Sequence, residues 1–95
     1  MEATIVDLGN DEYLVSGALR IETLEEKLDA HFAGEDYETI AGMIFTTLGR
    51  VPKSGAVVTK NGYRFEVDRA DRRRIYRVKI SRDPEWQEAE EAARS

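Results

Sequence analysis

The sequence predicts an α+β domain with elements in the order β-β-α-α-β-β-β. Its sheet should be mostly antiparallel and covered on one face by two helices. Three observations predict this class. Short β-rich runs with turn residues between them stand at both ends of the chain. Two apolar stripes at helical spacing lie in the middle. An Asn-Gly turn then opens a meander whose apolar residues share one face.

The elements follow in chain order. Residues 4–8 (Thr-Ile-Val-Asp-Leu) and 12–16 (Glu-Tyr-Leu-Val-Ser) flank Gly9-Asn10-Asp11, the spacing of a tight hairpin. Ile21, Leu24, Leu28 and Phe32 recur at helical spacing with Glu22, Glu25, Glu26 and Lys27 opposite, which predicts an amphipathic helix of about two to three turns. His31 to Glu38 reads as a loop broken by Gly34. A second helix is expected from Thr39 to Leu48, with Thr39 or Asp36 capping its start, Gly49 at its end and Pro52 beyond. Its stripe is Ile40, Ile44 and Leu48, widened by Met43 and Phe45. Gly42 inside this helix weakens it by about 1 kcal/mol relative to alanine, which suggests close approach of another element or a ligand.

The segment 56–82 is the most informative. A two-residue turn at Asn61-Gly62 places Val58 opposite Phe65 and Ala56 opposite Val67. A second turn at Asp71-Arg72 places Val67 opposite Tyr76, Phe65 opposite Val78 and Tyr63 opposite Ile80. All these side chains then line one face. Thr59, Arg64, Glu66, Asp68, Arg77 and Lys79 line the other, with Glu66 facing Arg77. Arg72 is a poor residue for such a turn, which favours glycine. Residues 84–95 begin like a helix at Pro84 and end in a polar tail, in which Trp86 alone is suited to docking. The expected division is therefore a folded unit over 1–82 and a short helix or frayed tail over 83–95.

Ninety-five residues suffice for one domain with a modest core. Apolar residues make up 41% of the chain and fall into periodic blocks, which excludes a disordered chain. Cysteine is absent, so disulfides and thiolate metal sites are excluded. No apolar run approaches the ~18 residues of a membrane span, and no signal peptide is visible, so no direct membrane insertion is expected. The net charge of −5 argues against nucleic acid as a partner. That charge is unevenly spread. Residues 1–62 carry 11 acids and 5 bases, residues 63–82 carry 8 bases and 3 acids, and residues 83–95 carry 5 acids and 1 base.

Catalytic chemistry has little support in these residues. His31 is the only histidine and has no serine near it in sequence, and no cysteine is available as a nucleophile. Asp29, His31, Glu35 and Asp36 could be drawn into a metal site, but Gly34 interrupts the spacing and solvated loop charges explain them as well. Gly49 to Gly55 (Gly-Arg-Val-Pro-Lys-Ser-Gly) follows a helix, whereas a phosphate loop precedes one. Arg72, Arg73 and Arg74 form a basic hairpin tip. It serves either for solubility or as an interaction surface for an acidic partner or anionic headgroups.

Several blocks carry a family resemblance. Asp11 to Gly17, Ile21 to Leu24, Asp36-Tyr37-Glu38-Thr39-Ile40-Ala41-Gly42, Leu48-Gly49-Arg50-Val51-Pro52 and the strands Gly62–Val67 and Arg73–Val78 together resemble the CorC/HlyC transporter-associated domain. The resemblance covers about residues 4–82. Ala41 departs from a common glycine pair, and Arg72 stands where the hairpin often has glycine. The resemblance implies a non-catalytic C-terminal cytosolic module of a membrane protein, following a transmembrane domain and a CBS pair. Those parts of the same chain are the implied partners, with self-association as a further one. It also implies a link to magnesium and cobalt efflux or to hemolysin-like proteins, and a fold similar to the second subdomain of PCMH-type FAD-binding proteins. An alternative follows from that fold: a binding module for FAD or an adenine nucleotide, using Tyr37, Gly42 and Arg50. No cofactor and no catalytic residue is implied firmly.

Overall fold

The structure, a computed structural model, describes residues 5–32, 34, 36–86 and 92–93. Five strands and two helices occur in the predicted order: β1 (Ile5–Gly9), β2 (Glu12–Ser16), α1 (Ile21–Leu28), α2 (Ile40–Leu48), β3 (Val57–Lys60), β4 (Tyr63–Ala70) and β5 (Ile75–Arg82). The strands form one sheet in the order β1-β2-β5-β4-β3, and every neighbouring pair is antiparallel. The last strand therefore enters the middle of the sheet, between the N-terminal hairpin and the meander.

Turn chemistry fixes both ends of this order. Asn10 and Asp11 adopt left-handed backbone (φ 53° and 60°), as do Asn61 and Gly62 (φ 48° and 88°), which is what two-residue I′ hairpins demand. Helix α2 begins where Thr39 Oγ1 accepts a hydrogen bond from the Gly42 amide at 3.1 Å, and ends at Gly49 in left-handed backbone. Helix α1 has the predicted length of a little over two turns. It stops at Asp29, also left-handed (φ 51°), so Phe32 reaches the core from the following loop and not from a fourth helical turn.

Both helices lie on one face of the sheet. Ile21 and Leu24 of α1 and Ile40, Met43 and Ile44 of α2 are buried with Val15, Val58, Phe65, Val67, Val78 and Ile80 of the strands. Phe32 stands edge-on to the rings of Tyr63 and Phe65, at 5.5 and 5.4 Å, which closes the far end of the core. No polar or charged residue is buried among the described residues. Phe45 departs from the expected stripe, since it is 47% exposed on the outer side of α2.

The meander has the predicted faces but a register moved by two residues. Val67 pairs with Val78 and not Tyr76, Phe65 with Ile80 and not Val78, and Tyr63 with Arg82 and not Ile80. The reason is Asp71. Its Oδ1 accepts from the amides of Arg73 and Arg74 at 2.7 and 3.0 Å, which closes a four-residue turn over Asp71–Arg74 in place of the two-residue one. A shift of two leaves side-chain parity intact, so the apolar face survives. Irregular pairing then skips Tyr76, which turns outward while Ile75 turns in. Glu66 accordingly faces Lys79, and Arg77 pairs with Asp68.

Beyond β5, the Asp83 amide donates to the Gly62 carbonyl at 2.9 Å, and residues 84–86 take one helical turn. Trp86 lies against Gly62, where an added Cβ would sit 3.0 Å from the indole. Residues 92–93 are also helical, and the rest of the expected tail falls outside the described residues.

Candidate functional site

One end of the molecule gathers the β4–β5 turn, the start of α2 and the loop after α2. The joint that brings them together is Gly17. Its amide donates to the Tyr76 carbonyl at 3.0 Å, and its carbonyl accepts from the Ala41 amide at 2.9 Å. A Cβ at residue 17 would lie 2.2 Å from the Ile75 carbonyl oxygen, so only glycine lets β2, β5 and α2 meet so closely. The result is an open cleft of about 260 Å³, lined by Ala41, Gly42 and Phe45 of α2, Val51 of the following loop, and Arg73, Arg74 and Ile75 of the β4–β5 turn.

The basic rim is held in place from below. Asp71, besides closing the turn, accepts from the Tyr76 hydroxyl at 2.6 Å, and the Arg74 guanidinium lies 4.7 Å from the centre of the Tyr76 ring. The Tyr76 hydroxyl first, and the two turn amides next, hold the Asp71 carboxyl below the usual carboxylate range. Tyr76 likewise raises the Arg74 guanidinium further, with Asp71 adding to the effect. Val51 joins this cleft to two neighbours, one lined by Leu48, Arg50, Pro52 and Lys53, and one by Lys53, Ala70 and Arg72. Among the described residues, Arg50, Lys53, Arg72 and Arg73 make no ion pair.

The residues singled out from sequence are thus distributed unequally. Gly42 lines the cleft with Arg73 and Arg74, while Arg50 stands on the far side of Val51. Tyr37 is engaged elsewhere: its hydroxyl donates to the Phe32 carbonyl at 2.6 Å and accepts from Lys60 Nζ at 2.5 Å. The close approach that Gly42 suggests comes from the chain itself, because a Cβ there would lie 3.2 Å from Thr39 Oγ1 and 3.3 Å from Tyr37 Cβ. His31 is almost wholly exposed, with Nδ1 3.3 Å from Glu25 Oε2. No group of three metal-ligating side chains occurs among the described residues, and Glu35 lies outside them. The sequence assigns Phe45 to the buried stripe of α2 and Val51 and Lys53 to the Gly49–Gly55 loop, so it marks none of the three as a site residue. Phe45 sits one position off the Ile40-Ile44-Leu48 stripe, which was the available signal.

The family profile described as the CorC/HlyC transporter-associated domain matches residues 6–84. The chain belongs to this family. Its relatives include the magnesium and cobalt efflux protein CorC of Escherichia coli K12, 33% identical over 73 residues, a span of 77% of this chain and 25% of the relative. The domain thus spans about a quarter of the curated relatives it matches. Among solved structures, the Mg2+ and Co2+ transporter (CorC)-associated region from Neisseria meningitidis MC58 superposes with a TM-score of 0.79 at 28% identity, covering 83% of this chain and 98% of that one. The CorC/HlyC domain of a Xylella fastidiosa Temecula1 hemolysin, in complex with Mg++ and Mn++, gives 0.75 at 33% identity, covering 83% and 96%. The fold and its association with transporters are therefore shared with known CorC/HlyC domains. No helix of the described residues is long and apolar enough to cross a membrane.

Proposed function

We propose that this domain is a non-catalytic regulatory or assembly module of a membrane protein that exports magnesium, cobalt or a related divalent cation. The observation that carries the reading is the 33% identity to the efflux protein CorC over three-quarters of this chain. The module comprises residues 1–82, followed by the acidic stretch 83–95, and it works on the cytoplasmic side of the membrane. Its partners are the remaining parts of the longer polypeptide, a CBS pair and a transmembrane domain, or a second copy. An entirely apolar core among the described residues and a cleft edged by Arg73 and Arg74, of which Arg73 makes no ion pair among those residues, support an adaptor more than a reaction centre.

The geometry favours this reading over a module for FAD or an adenine nucleotide. The Tyr37 hydroxyl is engaged by the Phe32 carbonyl and Lys60, and Arg50 lines a different cleft from Gly42, so the three side chains do not share one pocket. The deciding experiment removes the domain from the full-length protein and measures cellular resistance to cobalt and magnesium. Reduced resistance with intact membrane insertion is expected, and unchanged resistance and assembly would count against the proposal. Melting curves of the isolated domain with FAD, ATP and magnesium discriminate the alternative. A saturating ligand at 100 times its Kd adds about 2.7 kcal/mol, so FAD or ATP binding would be plain.

A further inference from the structure

We infer that the cleft between α2 and the β4–β5 turn is a docking site for an acidic protein segment bearing one bulky apolar side chain. The apolar residue sits between Phe45 and Val51, and the flanking carboxylates meet Arg73, Arg74 and the neighbouring cations. The inference deepens the assembly reading by naming the chemistry of the partner. It rests on that reading only for the source of the segment, the longer polypeptide or its assembly.

Charge argues for the occupant. Three cations of the sheet's open face are spent on neighbours: Arg64 lies 3.4 Å from Glu66, Lys79 3.0 Å from Glu12, and Arg77 pairs with Asp68. Around the cleft the opposite holds. Arg50, Lys53, Arg72 and Arg73 have no acidic partner among the described residues, and the one local acid, Asp71, spends both oxygens organising the turn. A chain of net charge −5 has therefore concentrated unpaired positive charge beside its exposed phenyl ring. Arginine and aromatic side chains are the groups enriched at the energetic centre of protein interfaces.

Shape argues for a protein segment over a lipid surface. Ile75, which lines the cleft, is 5% exposed, and Phe45 beside it is 47% exposed, so the apolar surface on offer is one phenyl ring at the edge of an open cleft. A bilayer surface would take several projecting apolar groups along one face, whereas a single phenyl ring beside a cleft suits one inserted side chain. An open cleft of about 260 Å³ suits one anchor residue.

The test can use the domain alone, because relatives consisting almost wholly of this domain have been solved as separate chains. The probes are two fluorescein-labelled peptides, one with Leu-Phe centred among Glu and Asp, the other with both apolar residues replaced by Ser. Anisotropy should show saturable binding of the first, weakening with salt, and binding of the second about tenfold weaker or more. Arg73→Glu/Arg74→Glu and, separately, Phe45→Ser should each weaken the first peptide about tenfold, with melting curves confirming that both variants fold. Phe45→Ser leaves the buried core untouched and serves if the arginine variant does not fold. No saturable binding overturns the inference, as does equal binding of both peptides or indifference to the substitutions. Capture of the domain by phosphatidylglycerol vesicles, lost in the arginine variant while the peptides fail to bind, overturns it in favour of a lipid surface. If the peptides bind as expected and cobalt resistance does not need the domain, the docking site stands and the transport reading falls.

Discussion

The open face of the sheet and the hairpin end of the molecule carry similar side chains in opposite circumstances. On the sheet's open face, Arg64, Arg77 and Lys79 each lie beside an acid, Lys79 with Glu12 beside it and Glu66 across from it, and the Glu12 carboxylate raises the Lys79 ammonium above its ordinary range. At the hairpin end Arg74 is ordered by Tyr76 and Asp71, while Arg72 and Arg73 make no ion pair among the described residues. Asp71 fixes the backbone beneath them and Tyr76 stacks on Arg74. Strand pairing explains the difference. A flat antiparallel face presents opposite charges at cross-strand spacing, so complementary pairs settle locally. A turn has no strand across from it, and its charge stays available to something outside the fold.

Substitutions can break or sharpen this contrast, and the largest effect is expected at the joint. Gly17→Ala drives a Cβ into the Ile75 carbonyl, so it should cost about 1–3 kcal/mol. At about 4–8 °C per kcal/mol this is readily seen in a melting curve. The same variant should widen or abolish the cleft and lower peptide affinity, whereas the sheet's ion pairs should persist. Next comes Thr39→Ala, which removes the acceptor for the Gly42 amide and should cost about 1 kcal/mol by denaturant titration.

Lys79→Glu, opposite Glu66 and beside Glu12, should lower the melting temperature by less than Thr39→Ala, and more at low salt than at high salt. Equal losses at both salt concentrations would mean the pair acts through packing. Smallest of all in stability is Arg72→Glu/Arg73→Glu, within about 0.5 kcal/mol of wild type because no described partner is lost. Its consequence should appear only in binding. A marked loss of stability there would erase the distinction between the two regions.

Acid titration addresses the turn itself. The Asp71 carboxyl is lowered in the folded state, so the order it gives is complete above the ordinary carboxylate value of about 3.9. That order is lost only as pH falls through the lowered value. Carboxyl-carbon NMR should therefore place the Asp71 midpoint below about 3.9, and Tyr76→Phe should return it toward that value. An Asp71 midpoint at the ordinary value would mean that the arginines are not held as described.

Local chemistry settled much of the architecture. The Asn61-Gly62 turn fixed Val58 opposite Phe65, Thr39 and Gly49 bounded α2, and alternation put Phe65, Val67, Val78 and Ile80 on one face. Each of these depends on neighbours a few residues away, or on a period of two that a slip of two residues cannot disturb. The register beyond Val67 was beyond the sequence reading, because a side chain, Asp71, competes with the backbone for closing the turn. The length of α1 and the loop from His31 were legible, but not that left-handed Asp29 would deliver Phe32 from that loop to the Tyr63 and Phe65 rings. The cleft was the least legible feature. Phe45, Val51 and Arg73 are separated by 6 and 22 positions along the chain and meet only where Gly17 lets three elements approach. Composition and periodicity thus determined which surfaces are apolar or basic. Only tertiary contact decided that a phenyl ring and two arginines would share one groove, because that depends on backbone-to-backbone distances that no local pattern encodes.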